Sequence, residues 1–172
     1  NLCDKKLEEF KQINKMNIKK SILLISCIEF GKRIFLKKNE KNKIYKDSKS
    51  VFFLMKNEFI KKLHEEFWIV LLNNSFRLIK KICVSSGGLS STVVDPRIIF
   101  KFCIENSSTK IVLIHNHPSG NLIPSKEDIK ITQKIIEGSK LLDINVIDHI
   151  ILGEDDNYFS FADNNILFNL KF

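Results

Sequence analysis

Short apolar runs separated by turn residues mark out strands along most of this sequence. The run from Phe67 to Leu72 is apolar throughout, which is typical of a buried strand. Asn73 and Asn74 indicate a turn directly after it, so the segment that follows would pair with the first strand as a hairpin. The same kind of pattern predicts strands over residues 67–72, 76–84, 110–115, 144–152 and 157–161.

Other segments have the spacing of helices. Apolar residues recur at three-residue intervals between Ile22 and Ile28, with polar residues among them. Asp95 followed by Pro96 is typical of a helix start, because Asp caps the first turn and proline fits the first helical position. Helices are predicted over residues 4–16, 19–35, 47 or 48 to 63, 95–103 and 125–142.

The alternation of these helices and strands predicts an α/β fold, a mixed β-sheet flanked by helices, with a small N-terminal helical segment. The 172 residues allow one ordinary domain and a small appendage. Residues 36–47 are charged and have no periodicity, which is typical of a linker. We therefore predict a helical segment and linker over residues 1–47 and a main domain over 48–172. The chain begins with Asn rather than Met, as expected of a fragment.

The net charge of +8 is concentrated near the start of the chain. Residues 1–64 contain 17 Lys and Arg against 7 Asp and Glu, whereas residues 65–172 contain 11 against 13. A basic segment joined to a near-neutral domain indicates a polyanionic partner such as nucleic acid. The alternative is a general compositional bias, because Lys, Asn and Ile are abundant along the whole chain.

Cysteine usage and hydropathy indicate the cellular compartment. The four cysteines are scattered and form no Cys-x-x-Cys pair, which favours reduced thiols and a cytoplasmic location. The apolar run over residues 21–27 follows a charged stretch and is short for a signal-peptide core. We therefore expect no membrane association.

The candidate chemistry lies around two histidines at the end of a predicted strand. His115 and His117 would point to the same side, because side chains alternate along a strand. A loop containing Pro and Gly follows and can bring Asp128 back to the same point. Two imidazoles and one carboxylate are the ligand set of a catalytic zinc site with a fourth position for water. The alternative is that Ser125 and Asp128 form a capping box that needs no metal.

The sequence resembles a known family at these positions. The pattern His-x-His, seven residues, Ser, two residues, Asp matches the signature of JAMM/MPN metalloproteases in His115, His117, Ser125 and Asp128. The run His-Asn-His-Pro-Ser-Gly at residues 115–120 is similar to the RadC branch of that superfamily. The resemblance implies an MPN/JAMM-like catalytic domain with one zinc ion per chain, held by the two histidines and Asp128. It also implies that Ser125 stabilises the oxyanion of the reaction.

In the resembled family the general base is a glutamate on an early strand, upstream of the histidines. Glu65 and Glu66 both precede Phe67, and the family pattern Glu-x-Phe favours Glu65. Alternation places Glu65 on the side of Phe67 and Glu66 on the side of Trp68. Which side faces the metal is open at this point, so Glu66 is the alternative base.

His149 is a further candidate for the site. His149 follows Asp148 within an apolar run, and such a pair could orient a metal ligand from behind. A buried structural histidine is the more common explanation. We therefore leave His149 out of the predicted ligand set.

The resemblance implies a zinc-dependent hydrolase that cleaves a peptide or isopeptide amide in a peptide or protein substrate. RadC-like proteins are also commonly labelled as DNA repair factors and often carry a helix-hairpin-helix before the catalytic domain. Here the corresponding turn, Asn14 to Asn17, lacks glycine, so this hairpin would be degenerate. The alternatives are a nucleic-acid-associated module anchored by residues 1–64 and a non-catalytic MPN scaffold.

Overall fold

The computed structural model of the protein describes residues 17–60, 62–87, 94–153 and 157–171. The chain divides into two units, Asn1–Asn42 and Lys43–Phe172. In the described part of the first unit, helix α1 spans Ile18–Asn42. The helix predicted over residues 4–16 lies outside the described residues.

Helix α1 is longer than predicted and corrects part of the proposed linker. Residues 36–42 continue the helix, because Leu, Lys and Glu have high helix propensity even without an apolar periodicity. Within the described residues, α1 included, none of the helices combines the length and the apolar character that crossing a bilayer requires.

The second unit is built on a five-stranded sheet with the strand order β2-β1-β3-β4-β5. Strand β1 runs antiparallel to both β2 and β3, β3 runs parallel to β4, and β4 runs antiparallel to β5. The sheet is thus mixed, as predicted. The strands are β1 (Glu66–Leu72), β2 (Leu78–Ser86), β3 (Lys110–Asn116), β4 (Asn145–Leu152) and β5 (Tyr158–Ser160).

The described residues of this unit form four further helices: α2 (Ser48–Met55), α3 (Pro96–Glu105), α4 (Lys126–Lys140) and α5 (Ile166–Lys171). Asp95 caps α3 as predicted, and of the two possible starts of α2 Asp47 is the cap; each Asp accepts a hydrogen bond from a backbone N–H of the first turn. Helix α2 ends earlier than predicted, because the chain tightens into a 3₁₀ turn over Lys56–Glu58. Helix α5 was not predicted, since its six residues are too few to show a period.

These four helices divide between the two faces of the sheet, and each face has its own apolar core. Helices α3, α4 and α5 pack on one face, where residues such as Ile69 and Leu113 are fully buried. Helix α2 packs on the other face, against residues such as Val70 and Val112. Burial of each such side chain contributes roughly 1.5–3 kcal/mol. We call the first face the α4 face, and it carries the candidate site.

A β-bulge in β4 changes which of its residues reach the α4 face. Ile111 pairs with Val146 but the next residue of β3 pairs with Asp148, so Ile147 is an extra residue. In a regular strand Val146 and His149 would lie on opposite faces, because they are three residues apart. The bulge places both on the α4 face, and His149 thereby comes beside strand β3.

Candidate metal centre

His115 and His117 come together at the end of strand β3, as their spacing predicts. His115 is fully buried on the α4 face, and His117 follows the last residue of the strand. The backbone N–H of His117 still donates to the carbonyl of Leu152 in β4, which keeps the chain extended. The Nε2 atoms of the two histidines are consequently 2.9 Å apart.

Asp128 reaches the same point from the first turn of α4. Its Oδ1 is 3.2 Å from Nε2 of His115, and its Oδ2 is 3.5 Å from Nε2 of His117. One ligand atom from each of the three residues lies within 4.8 Å of the others. The predicted ligand set therefore forms one cluster, on side chains from a strand, a strand end and a helix.

Ser125 and Asp128 also form a capping box, so the two explanations of this motif are compatible. Ser125 Oγ accepts from the backbone N–H of Asp128, and Oδ2 of Asp128 accepts from the backbone N–H of Ser125 at 2.7 Å. The Ser125 hydroxyl donates to the same Oδ2 at 2.7 Å. The cap thus holds the carboxylate of Asp128 in place, with its oxygens facing the two histidines.

Asp128 is ionised in this environment. Burial alone would raise the pKa of its carboxyl group, but its interactions with the rings of His115 and His117 and the hydrogen bond from Ser125 hold that pKa well below its usual range. A buried carboxylate facing two imidazoles is a favourable anionic ligand for a cation.

The hydrogen bond of His117 shows that this cluster fits a divalent metal ion. Its Nδ1 contacts the backbone carbonyl of Asn121, which can only accept, so Nδ1 carries a proton. In the neutral ring Nε2 then has a free lone pair, and this atom points at Asp128 and His115. Electron-pair donors that converge in this way are stabilised by a cation between them.

The two candidate bases lie on opposite faces of the sheet. Glu66 is buried and bonded to Lys62 Nζ and to the indole N–H of Trp68, both at 2.9 Å. Burial raises the pKa of Glu66, but these hydrogen bonds outweigh it and lower the pKa below the usual value. Its side chain is therefore engaged on the side of Trp68, away from the histidines.

Glu65 belongs to the side that carries the site. It is half-buried directly before β1 and lies two residues from Phe67, so the two side chains are on the same side of the strand. The ring of Phe67 lies parallel to that of His115 with centroids 6.0 Å apart. The neighbouring carboxylate of Asp128 raises the pKa of His117, and the negative charge of Glu65 adds to this increase. Of the two glutamates, Glu65 is therefore the one on the side of the histidines, and its role as base stays a prediction.

Asn116 is a site residue that the sequence analysis missed. Its Oδ1 accepts from the backbone N–H of Glu66 at 2.8 Å, and its Nδ2 donates to the carbonyl of His64 at 3.1 Å. The backbone on both sides of Glu65 is therefore tied to the residue between the two histidines. The signal available in the sequence was an amide between two candidate ligands, and in the structure this side chain is buried.

Thr132 was also missed, and His149 was considered but set aside as a structural histidine. His149 Nε2 is 2.8 Å from Nδ1 of His115, and its Nδ1 is 2.6 Å from the hydroxyl of Thr132. Both residues are fully buried. Burial and the neighbouring His115 lower the pKa of His149 well below its usual value, so its ring is neutral. Thr132 could have been found one turn after Asp128 on the same helix face.

Asp148 does not orient a ligand. Its carboxylate accepts from its neighbour's backbone N–H at 2.7 Å, from the Ala162 N–H at 2.8 Å and from the Ser160 hydroxyl at 2.6 Å. Burial raises the pKa of Asp148 to about 6, although the hydrogen bonds act in the opposite direction. The residue therefore joins β4 to the segment after β5.

Stability should fall with rising pH because of Asp148, and Asp148→Asn should remove this dependence. Below pH 4 the carboxyl is protonated in both the folded and the unfolded chain. Between about pH 4 and 6 the unfolded chain loses this proton while the folded chain keeps it, so stability falls over this range and levels off once the folded group is ionised too. We expect a loss on the order of 2–3 kcal/mol relative to the variant. Urea unfolding of both metal-free proteins from pH 4 to 7 measures it, and parallel curves would contradict the assignment.

The structure thus has a mixed sheet with His115 and His117 at the end of one strand and Asp128 on a neighbouring helix, as the resemblance to JAMM/MPN proteins implies. The family model described as RadC-like JAB domain matches residues 45–166. The chain belongs to the RadC-like JAB domain family, as the resemblance implied. The predicted α/β class with a JAB/MPN-like architecture is thereby confirmed.

Curated relatives agree with this assignment. A UPF0758 protein of Flavobacterium johnsoniae is 40% identical over 147 residues, which cover 86% of this chain and 64% of the relative. A UPF0758 protein of Clostridioides difficile is 40% identical over 96% of this chain and 70% of its own length. One from Alkaliphilus metalliredigens is 38% identical over 94% of this chain and 69% of its own length. The chain spans about two thirds of the length of these relatives.

Proposed function

We propose that this protein is a zinc-dependent hydrolase that cleaves a peptide or isopeptide amide bond. The observation that carries the proposal is the convergence of His115, His117 and Asp128 within 4.8 Å. Two imidazoles and one carboxylate are typical ligands of catalytic zinc, and they leave one coordination position open. When bound, zinc would supply a water molecule of lowered pKa and polarise the scissile carbonyl.

Glu65 is the proposed general base. It takes a proton from the attacking water and then donates it to the departing amine, as general acid–base catalysis requires. Its position on the α4 face beside His117 supports this role, and Asn116 and the Gly87 N–H hold its backbone in place. Glu66 is unsuited to the role, since its carboxylate is occupied by Lys62 and Trp68.

Ser125 is the proposed donor to the oxyanion. Its hydroxyl donates to Asp128 in the absence of substrate. Rotation about its side-chain bond would turn the same proton toward an oxygen on which negative charge develops. The backbone cap from Ser125 to α4 does not need this proton, because there the hydroxyl oxygen acts as acceptor.

Ser125→Ala is expected to lower kcat roughly 10²-fold, the usual effect of losing one oxyanion donor. Loss of the N-cap should also reduce the free energy of unfolding by about 1 kcal/mol. In excess zinc the metal content should stay unchanged, because Ser125 is not among the three proposed ligands. Ser125→Thr keeps both the hydroxyl and the cap and is the matched control. Equal kcat values for the Ala and Thr variants would contradict the catalytic role.

The proposed activity can be tested without knowledge of the natural substrate. Zinc-loaded protein is incubated with a fluorogenic peptide library and with peptides joined through a lysine ε-amine. We expect cleavage that a chelator stops and added zinc restores. Cleavage that persists in chelator, or equal cleavage by a variant lacking His115 and His117, would contradict the proposal.

Nucleic-acid binding is a second candidate function, favoured by the excess of Lys and Arg in residues 1–64. Helix α1 exposes Lys19, Lys20 and Lys32 in the described part of the first unit. Replacing the three by Gln should weaken DNA binding and make it less dependent on salt. If the variant binds DNA with the wild-type affinity at every salt concentration, these lysines are not part of a nucleic-acid site and the second candidate function is refuted. A non-catalytic scaffold is disfavoured, because a scaffold needs neither the ligand set nor Glu65.

A further inference from the structure

The hydroxyl of Thr132 has a single proton, and its surroundings determine where that proton goes. Thr132 Oγ1 is 2.5 Å from the backbone carbonyl oxygen of Asp128, one helical turn earlier. Two oxygens at this distance require a proton between them, and the carbonyl has none to give. The Thr132 hydroxyl therefore donates to Asp128 and can only accept from any other partner.

His149 is the partner from which Thr132 accepts. Nδ1 of His149 is 2.6 Å from Oγ1 of Thr132, so Nδ1 must carry the proton. The ring is fully buried between Thr132 and His115, neither of which is a carboxylate, and a neutral imidazole is favoured there. A neutral imidazole has only one N–H, so Nε2 of His149 has a free lone pair.

That lone pair determines the tautomer of His115. Nε2 of His149 is 2.8 Å from Nδ1 of His115, and a hydrogen bond between them requires the proton on Nδ1 of His115. In a neutral ring the opposite nitrogen, Nε2, is then the unprotonated one. This is the atom that lies 3.2 Å from Asp128 and 2.9 Å from His117.

We propose that His149 and Thr132 are positioning residues that hold His115 in the tautomer able to bind a metal through Nε2. The proposal rests on the proposed metal site but not on its hydrolytic activity. The three hydrogen bonds start at one proposed ligand, His115, and end on the backbone of another, Asp128. They therefore link strands β3 and β4 to helix α4 and assemble the site before the metal arrives.

The tautomers can be observed directly in metal-free protein. Long-range ¹H–¹⁵N NMR spectra at neutral pH distinguish a protonated ring nitrogen from an unprotonated one in each of the four histidines. A tag-free protein avoids additional histidine signals. We expect His115 and His149 both to carry the proton on Nδ1. An unprotonated Nδ1 with the proton on Nε2 of His115 would overturn the proposal, whatever the protein binds or hydrolyses.

A pair of variants tests the effect on metal binding. Thr132→Val removes the hydroxyl at nearly constant size and should lower zinc affinity about 10- to 100-fold in a competition with a chromophoric chelator. Thr132→Ser keeps the hydroxyl and should restore both the wild-type affinity and the His115 tautomer. Equal affinities for Val and Ser would overturn the proposal. Backbone amide spectra of each variant verify that the fold is intact.

The tests of this proposal and of the proposed function fail in different ways. A wild type that binds zinc with the expected tautomers but cleaves no amide refutes hydrolysis and supports the positioning role. A wild type that cleaves amides while His115 carries its proton on Nε2 supports hydrolysis and overturns the positioning role.

Discussion

Replacing Glu65 by Gln is expected to lower kcat about 10²- to 10⁴-fold, the contribution typical of general acid–base catalysis, while zinc stays bound. The amide has nearly the size of the carboxylate but cannot take a proton from water. Zinc should remain because Glu65 is not one of the proposed ligands His115, His117 and Asp128. The measurements are kcat on the best substrate from the library and zinc per chain by elemental mass spectrometry.

Glu66→Gln is the matched control for this prediction. The two glutamates are neighbours in sequence, but Glu66 points to the opposite face and is bonded to Lys62 and Trp68. The control variant should therefore keep most of the wild-type kcat. An active Glu65→Gln beside an inactive Glu66→Gln would transfer the role to Glu66 and contradict the face assignment.

Removing the imidazole of His117 should strip the protein of zinc. With one of three protein ligands gone, His117→Ala is expected to retain less than about a tenth of the wild-type zinc after dialysis. The fold should persist, because His117 lies beyond the end of β3 and its side chain is 16% exposed. Elemental mass spectrometry measures the metal, and amide NMR spectra verify the fold.

His64→Ala is the control for the loss of an imidazole as such. His64 is exposed, and its contact with Asn116 is made by its backbone carbonyl, which alanine keeps. Its zinc content should equal that of the wild type. Unchanged zinc in His117→Ala, or equal loss in both variants, would show that the metal is held elsewhere.

The parts of the site that could be predicted from sequence depend on local periodicity. Alternation along β3 is enough to put His115 and His117 on one side, and the capping signal at Ser125 is enough to start a helix there. The helix start then places Asp128 in its first turn. Alternation also places Glu65 and Glu66 on opposite faces, but it does not say which of the two faces carries the site. The decision depends on Lys62 and Trp68, which engage Glu66 on the other side.

The contacts behind the metal ligands required the three-dimensional structure. Regular alternation from Val146 places His149 on the wrong face, and only the extra residue Ile147 brings it beside His115. The sequence around Thr132 indicates only an ordinary helical position, and its contact with His149 depends on how α4 packs against β4. Neither the bulge nor the packing of α4 leaves a periodic trace in the sequence.

The most direct test of a zinc ion held by His115, His117 and Asp128 is X-ray absorption spectroscopy at the zinc edge on the purified, tag-free protein. The account predicts about one zinc per chain with nitrogen and oxygen neighbours at about 2.0–2.1 Å and the outer-shell signature of two imidazoles. Sulfur neighbours at about 2.3 Å would indicate cysteine ligands instead. That result, or a protein that retains no zinc, would contradict the account.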